Sequence, residues 1–370
     1  MDVSIKVLSL VFIFLSLLFT FFLFTVPTKK RLSNVLIACF LIVTIIDLSV
    51  YLYQDYVTLP PYLEMLRIRI SFLKSPLLFL YILSVFYADF RLRIKHLIHL
   101  VPFLMVIGVL LPRFFLADKA QQLEFFDDYH NRLEIIFIGF LGNILMVTYM
   151  AANIYYAVNY RRIIVQNYAN ASALSNFRWI VQLLSVIILL AIITTVKDAL
   201  RFNPDANDAD LARLVMLGGG ILFISWVVLK ALYSPRLFTG IESNIKSVSI
   251  STHANPKDSA TIERIRAFIE KEEPYLDASL TIKSLADQLN MPVRDLSTLI
   301  NNDLETHFFD FINEFRIRKA MRLLKNDSQG SLSIKEIMFD VGFNSKSPFN
   351  KAFKKYAEQT PSEYRQSTGN

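Results

Sequence analysis

Two stretches decide the fold of the C-terminal third of the chain: LTIKSLADQL at residues 280–289 and LSIKEIMFDV at residues 332–341. In each stretch a Thr or Ser precedes apolar residues three and four positions apart, which predicts an N-capped amphipathic helix. Asn290 and Gly342 follow the two helices, and both residue types tolerate a left-handed backbone. The repeat therefore predicts two helix-turn-helix units.

A second helix is predicted in the first unit, over about 292–302. Pro292 suits its first position because proline there loses no hydrogen bond that the helix needs. Val293, Leu296 and Ile300 form the apolar face. The residues expected to point outward are Arg294, Ser297, Thr298 and Asn301.

A long helix over about 308–324 is predicted to follow, and its two faces differ in character. The apolar face holds Phe308, Phe311, Ile312, Phe315 and Leu323. The opposite face is basic and holds Arg316, Arg318, Lys319, Arg322 and Lys325. Periodicity of this kind predicts a core helix with a solvated basic side.

The second unit repeats the arrangement, with Ser333 as the cap and a second helix over about 345–356. Phe349 and Phe353 are expected to be buried. The residues expected to face away from that core are Ser345, Lys346, Ser347, Asn350, Lys351 and Lys354. A capping box with proline at the first helical position, TPSE at residues 360–363, predicts a last short helix.

The second unit resembles the AraC/XylS family of bacterial transcription regulators in the pattern Gly342-Phe343-x-Ser345-x-Ser347-x-Phe349-x-x-x-Phe353-Lys354-Lys355, followed by Thr360-Pro361-Ser362-Glu363-Tyr364-Arg365. The resemblance covers about 260–367. It implies a seven-helix domain in which two helix-turn-helix subdomains flank a long helix. Two recognition helices would enter successive major-groove segments of double-stranded DNA.

The resemblance also implies roles for individual residues. The base-reading positions would be Ser345, Lys346, Ser347 and Asn350 in the second unit, with Arg294, Ser297, Thr298 and Asn301 as counterparts in the first. Phosphate contacts, which fix register without reading sequence, would come from Lys351, Lys354 and Lys355. Two departures stand out: Asn301-Asn302 replaces a basic pair, and Met338 replaces a small residue.

Charge is distributed unevenly over this region. Residues 258–314 hold five basic and 12 acidic side chains, whereas residues 315–370 hold 11 basic and five acidic ones. The net charge of +7 for the whole chain therefore does not come from residues 258–370 taken together. We infer that the second unit supplies most of the electrostatic affinity for DNA, and that the first reads bases weakly or serves as a scaffold.

The N-terminal residues have a different composition. Long apolar runs at about 7–26, 32–53, 65–88, 97–112, 133–157, 178–200 and 211–233 predict seven transmembrane helices. A helix needs about 20 apolar residues to cross a bilayer core. The chain is therefore predicted to be all-α, with a seven-transmembrane-helix bundle before the double helix-turn-helix domain.

The loops between these runs predict their orientation. Alternate loops carry the basic residues Lys29, Lys30 and Arg31, then Arg91, Arg93 and Lys95, then Arg161, Arg162 and Arg178. The positive-inside rule places these loops in the cytoplasm. Seven spans then leave the N-terminus outside and the C-terminal domain in the cytoplasm, with the bacterial inner membrane as the expected location.

Polar residues at membrane depth are candidates for a ligand site because they are expensive to place there. The candidates are Asp47, Lys74, Asn143, Asn153, Lys197 and Asp198. Asp47 and Lys74 are expected near the same membrane face, where they could pair. An alternative without a ligand is that Lys74 snorkels to the interface and Asp47 pairs with an arginine at the outer end of the spans. Lys197 and Asp198 would then simply mark the interface.

The predicted domains are a transmembrane sensor at 1–233, a linker at 234–259 and the DNA-binding domain at 260–370. The sequence shows no catalytic or phosphate-binding pattern. The single cysteine, Cys39, excludes an intrachain disulfide and a Cys-rich metal site. No cofactor, metal or enzymatic activity is expected. The expected function is that of a membrane-embedded one-component transcription regulator, with DNA and the lipid bilayer as partners.

Three points stay open at this stage. The identity of the signal is open, with a small molecule and a lipid as the candidates, and homodimerisation is one route by which it could act. A transporter or membrane enzyme with a C-terminal regulatory or scaffold domain is an alternative. Another is a regulator that is released by proteolysis in the linker.

Overall fold

The computed structural model describes residues 3–26, 28, 31–87, 89–169, 173–200, 206–233, 259–326 and 331–368. These residues form helices joined by short turns, and they contain isolated bridge residues, such as the Tyr168–Thr281 pair, but no β-strand. The all-α prediction is confirmed. The predicted linker lies outside the described residues except for Ser259.

The α-helices differ widely in length. In chain order they are α1 (Val3–Thr25), α2 (Arg31–Leu48), α3 (Val50–Tyr53), α4 (Pro61–Arg69), α5 (Lys74–Phe86), α6 (Val101–Leu110), α7 (Lys119–Asp127), α8 (Leu133–Asn167), α9 (Ala173–Leu200), α10 (Ala206–Tyr233), α11 (Ser259–Glu272), α12 (Ile282–Gln288), α13 (Val293–Thr298), α14 (Phe308–Asn326), α15 (Ile334–Asp340), α16 (Lys346–Ala357) and α17 (Pro361–Thr368).

Two compact units can be distinguished. The first comprises the described residues of 1–157 and 179–240, and the second those of 158–178 and 241–370. The second unit therefore includes the end of α8 and the start of α9 together with the C-terminal helices. The sequence did not predict this assignment of residues 158–178.

Among the described residues of the first unit and the end of α8, five helical segments are long and apolar enough to cross a membrane: Ser4–Thr25, Arg31–Leu48, Pro61–Phe86, Ile94–Phe115 and Leu133–Asn167. Shorter apolar segments lie at Phe177–Ile193 and Leu214–Lys230. Each of these segments overlaps one of the predicted spans. A count of seven crossings stays a prediction.

The second unit has two apolar cores that share α14. Phe308, Phe311 and Ile312 of α14 belong to the first core, whereas Ile317 and Leu324 belong to the second. The predicted apolar face of α14 is thus confirmed. Because one continuous helix contributes residues to both cores, α14 holds the two helix-turn-helix subdomains together.

Candidate nucleic-acid interface

The first helix-turn-helix forms as its sequence predicts. The Thr281 hydroxyl accepts a hydrogen bond from the Ser284 backbone N–H at 3.2 Å and caps α12. Asn290 ends the turn with a left-handed backbone, at φ 51°. Pro292 is the residue just before α13 rather than the first helical residue.

The outward surface of the first recognition helix is smaller than predicted. Arg294 is exposed, but Ser297 is 0% exposed, so its predicted outward position is wrong. Ser297 lies beside Leu296 and on the same helical face as Ile300, and its hydroxyl accepts a hydrogen bond from the Asn301 amide at 3.1 Å. A small hydroxyl with a partner packs into a core without an unsatisfied polar group.

The remaining predicted residues of this helix are half-buried and bonded within it. The Thr298 hydroxyl donates to the Arg294 carbonyl oxygen at 2.9 Å. The Asn301 amide also donates to the Ser297 carbonyl oxygen at 2.8 Å. Arg294 is therefore the exposed side chain among the four predicted in the first helix-turn-helix.

The second helix-turn-helix also follows its prediction. The Ser333 hydroxyl accepts from the Glu336 backbone N–H at 3.1 Å, and the Glu336 carboxylate accepts from the Ser333 N–H at 2.7 Å. These bonds from Ser333 lower the pKa of Glu336. Gly342 forms the turn with φ 86°. Reciprocal capping of this kind fixes where α15 starts.

Helix α16 separates its apolar and polar residues clearly. Phe349 and Phe353 are 0% exposed. Asn350 is half-buried, and its Oδ1 atom has no hydrogen-bond partner among the described residues. The exposed members of the predicted set are Ser345, Lys346, Ser347, Lys351, Lys354 and Lys355. We call Lys346, Lys351 and Lys354 the basic face of α16.

Lys355 differs from this basic face because it is paired. Its Nζ lies 2.7 Å from Oδ1 of Asp310 on α14. Partial burial lowers the pKa of Lys355, but the hydrogen bonds and charges of Asp310 and Tyr356 together outweigh it, so the net pKa is raised. The neighbouring Tyr356 hydroxyl donates to the Asp310 carbonyl oxygen at 3.0 Å. Lys355 therefore ties α16 to α14.

Arg316 was predicted on the solvated face of α14, and this prediction is wrong, because the side chain is 1% exposed. Its guanidinium donates to three backbone carbonyl oxygens: Tyr275 at 2.7 Å, Ala169 at 2.9 Å and Asp277 at 2.8 Å. Burial lowers the pKa of Arg316 to about 10, which leaves it charged at neutral pH. A buried charge is tolerated here because carbonyl dipoles surround it.

The segment that follows α8 is part of the first core. Tyr168 forms an isolated antiparallel bridge with Thr281, and the Ala169 N–H donates to the Leu280 carbonyl oxygen at 3.2 Å. Ala169 is 1% exposed and packs within the core that contains Leu285 and Ile300. We call Tyr168 and Ala169 the α8 end segment. It joins the apolar helix α8 directly to the first helix-turn-helix.

The polar residues predicted at membrane depth have different surroundings. The predicted pairing of Asp47 and Lys74 is present, with 2.5 Å between Oδ2 and Nζ. Asn143 is exposed, and its amide donates to the Gly139 carbonyl oxygen of its own helix at 3.0 Å. The side chains of Lys197 and Asp198 lie outside the described residues. Of these predicted residues, the structure thus brings Asp47 and Lys74 together as an ion pair.

Comparison with known proteins identifies the C-terminal part. Residues 285–367 match the sequence profile of a family described as a helix-turn-helix domain, of the AraC type. This is an AraC-type helix-turn-helix domain. The AraC-type domain contains both turns, both recognition helices and all of the basic face.

Relatives of the AraC-type domain are named as regulators. The HTH-type transcriptional regulator GlxA of Rhizobium meliloti is 29% identical over 163 residues, covering 41% of this chain and 49% of that protein. The HTH-type transcriptional regulator AlkR of Acinetobacter baylyi is 34% identical over 112 residues, covering 30% of this chain and 33% of that protein. The chain spans half or less of the length of these relatives.

The structure explains both departures of this AraC-type domain from the usual pattern. Met338 is 3% exposed and fills part of the second core, so the larger side chain is accommodated there. Asn301 bonds to Ser297 and lies 3.1 Å from the His307 ring through its Oδ1. Asn301 thus holds the end of its recognition helix instead of extending a basic surface.

Proposed function

We propose that this protein is a membrane-embedded one-component transcription regulator. Its apolar helices would sense a signal, and its AraC-type domain would bind promoter DNA in the cytoplasm. The observation that carries the proposal is the basic face of α16. Three exposed lysines lie on a recognition helix whose other side is anchored by Phe349 and Phe353. Such a surface suits the phosphates that flank a major groove.

Helix α8 supports both the membrane location and the orientation. Its 35 residues give a length of about 52 Å, whereas a bilayer core is about 30 Å thick. The surplus lets one end extend into water. Arg161 and Arg162 lie toward the C-terminal end, in the same unit as the AraC-type domain. The positive-inside rule assigns that end to the cytoplasm, where DNA is.

The α8 end segment supports a route for the signal. A helix that spans the bilayer and shifts on ligand binding would pull on Tyr168 and Ala169. These residues bond to Thr281 and Leu280 at the start of the first helix-turn-helix. The Ala169 carbonyl oxygen also accepts from Arg316 of the shared helix α14. Both subdomains would therefore respond to one movement, without a second protein.

The proposal is tested by genome-wide DNA occupancy of the full-length protein, tagged at its C-terminus, with Asn350→Ala as the comparison. Asparagine can pair with adenine through two hydrogen bonds, and one such contact discriminates bases by about 1–3 kcal/mol. We expect a few sharp occupancy sites that weaken roughly tenfold or more in the Asn350→Ala variant. The absence of such sites under all growth conditions would favour a transporter or membrane enzyme with a C-terminal scaffold.

The matched control is Lys354→Ala, on the same helix. It should weaken binding to all sequences alike and reduce the slope of log affinity against log salt by about 0.9. Asn350→Ala should leave that slope unchanged. A Lys354→Ala variant with sequence-dependent losses would contradict the division into base and phosphate contacts.

Substituting Asp310→Asn should strengthen DNA binding at low salt. The change removes the carboxylate charge that pairs with Lys355 at 2.7 Å. Lys355 then becomes available to a phosphate, and we expect the salt slope to become steeper by about 0.9. The measurement is a titration of labelled operator DNA at several salt concentrations.

The control for Asp310→Asn is Asp287→Asn, which removes an exposed carboxylate on α12. Equal slopes for the two variants would show a net-charge effect only.

The domain boundaries proposed are 1–233, 234–259 and 260–370, with the N-terminus outside the cell. A related alternative is that cleavage within 234–259 releases the AraC-type domain. An immunoblot of the C-terminal tag distinguishes the two. A full-length band at the occupancy sites supports signalling by the intact chain, whereas a stimulus-dependent short fragment supports release.

A further inference from the structure

A cavity of about 690 Å³ lies among the helices of the first unit. Its wall comes from α1, α2, α5, α8, α9 and α10. The lining is mainly apolar and includes Phe12, Phe223, Met150, Leu183 and Ile224. Ligand sites in proteins commonly have about 300–1,000 Å³ and an apolar lining with a few placed polar groups. The cavity therefore has the size and character of a binding site.

One polar group in the wall lacks a partner. Asn153 of α8 is 1% exposed, and its Oδ1 atom accepts no hydrogen bond among the described residues. Other polar groups in the wall are satisfied: Tyr81 accepts from the Trp179 indole at 3.1 Å, and the Asn34 amide donates to the Leu23 carbonyl oxygen at 3.1 Å. A buried acceptor without a donor is unfavourable, so Asn153 points to a ligand that donates to it.

The charged groups in the wall neutralise each other. Asp47 and Lys74 both line the cavity and form an ion pair at 2.5 Å. An anionic or cationic ligand would have to break this pair to gain a partner, and separating charges in an apolar site is costly. The wall therefore favours a ligand without net charge.

We propose that this cavity binds an uncharged lipid-like molecule that donates a hydrogen bond to Oδ1 of Asn153. The hydroxyl or amide of the ligand meets Asn153, and its apolar body fills the space between Phe12, Met150 and Phe223. This inference rests on the proposed sensing function, since it names the chemical class of the signal. It also places the ligand contact on α8, the helix that ends at Tyr168 and Ala169.

The test uses the full-length protein in phosphatidylcholine nanodiscs and a long-chain primary alcohol that carries a photoreactive diazirine. Cross-linked positions are mapped by mass spectrometry. We expect saturable labelling of residues 146–153. The unlabelled alcohol should compete about ten times better than its methyl ether, which cannot donate a hydrogen bond. The carboxylic acid of the same chain length should compete less well than the alcohol at neutral pH.

Two variants of α8 make the test specific. Asn153→Leu should abolish the preference for the alcohol over the ether, whereas Asn143→Leu, the same change at an exposed position, should preserve it. Met150→Trp, which narrows the cavity and keeps Asn153, should reduce labelling. It serves as the second variant if Asn153→Leu does not fold.

Three results would overturn the inference: equal competition by alcohol and ether, stronger competition by the acid, or labelling confined to lipid-facing positions such as Phe140 and Ile144. None of these depends on DNA binding. Failure here together with normal DNA occupancy would reject the ligand class and leave the regulator proposal standing. Failure of occupancy together with specific labelling would do the reverse.

Discussion

Replacing Arg316 with Leu should destabilise the AraC-type domain by roughly 3–5 kcal/mol. The guanidinium donates to the carbonyl oxygens of Tyr275, Asp277 and Ala169, and leucine can donate to none of them. Each buried carbonyl that loses its donor costs about 1–3 kcal/mol. The three losses are not fully additive, because residues in one network share their relaxation.

Hydrogen exchange of the full-length protein in nanodiscs measures this effect locally, because exchange reports the free energy of opening for each segment. The amide of Ala169, which donates to Leu280 at 3.2 Å, should lose protection together with residues 274–280. Arg318→Leu is the control on the same helix. Arg318 is exposed and pairs with Glu314 four residues earlier, so its loss should cost about 0.5 kcal/mol or less.

The Arg316 result also bears on signalling. If Arg316→Leu unfolds only the first subdomain, the α8 end segment is held mainly by that subdomain. If the exchange of Ala169 stays slow in the variant, the guanidinium does not hold the segment, and the proposed route from α8 to α14 loses its central bond. Either result distinguishes an effect on the stability of the domain from an effect on its connection to the membrane helices.

The parts of this domain that the sequence predicts are those decided by neighbours along the chain. Thr281 and Ser333 cap helices through bonds to residues three positions later, and Asn290 and Gly342 adopt the backbone that their residue types tolerate. Such interactions depend on local sequence, so spacing and residue type are enough to find them.

Arg316 and the α8 end segment could not be found in this way. The Arg316 guanidinium meets the carbonyl oxygen of Ala169, 147 positions earlier in the chain. Every residue type carries a backbone carbonyl, so the acceptors of the Arg316 guanidinium leave no pattern in the sequence. The one signal was Arg316 itself, which stands between the apolar residues Phe315 and Ile317. Helical periodicity assigned it to solvent because its partners were unknown.

Ser297 shows a limit of residue type rather than of periodicity. It lies in α13, four residues after Val293 and three before Ile300, so an α-helical count places it on the apolar face. It was expected to point outward because serine is polar, but its small hydroxyl is buried with the Asn301 amide as partner. The pairing of Asp47 with Lys74 was predictable, by contrast, because both lie near the same end of their predicted spans.

Substituting Gly342→Ala should destabilise the second helix-turn-helix by about 3 kcal/mol. The φ of 86° is unfavourable for alanine, at about 1–2 kcal/mol. An added Cβ would also lie 2.7 Å from the Tyr275 carbonyl oxygen and 2.8 Å from that of Leu276. Both atoms belong to the backbone, so relief requires the turn to move, and overpacking of this kind costs about 1–3 kcal/mol.

The measurement for Gly342→Ala is again hydrogen exchange, read over α15 and α16, combined with operator affinity. Gly139→Ala is the matched control, because a Cβ there would meet nothing within 4 Å and alanine is the better helix former. We expect faster exchange and weaker DNA binding for Gly342→Ala alone. Exchange confined to α15 would mean that the strain stays in the turn. Faster exchange at residues 275–276 as well would mean that the two subdomains loosen together. This is the result expected from the position of Gly342 beside the carbonyl oxygens of Tyr275 and Leu276.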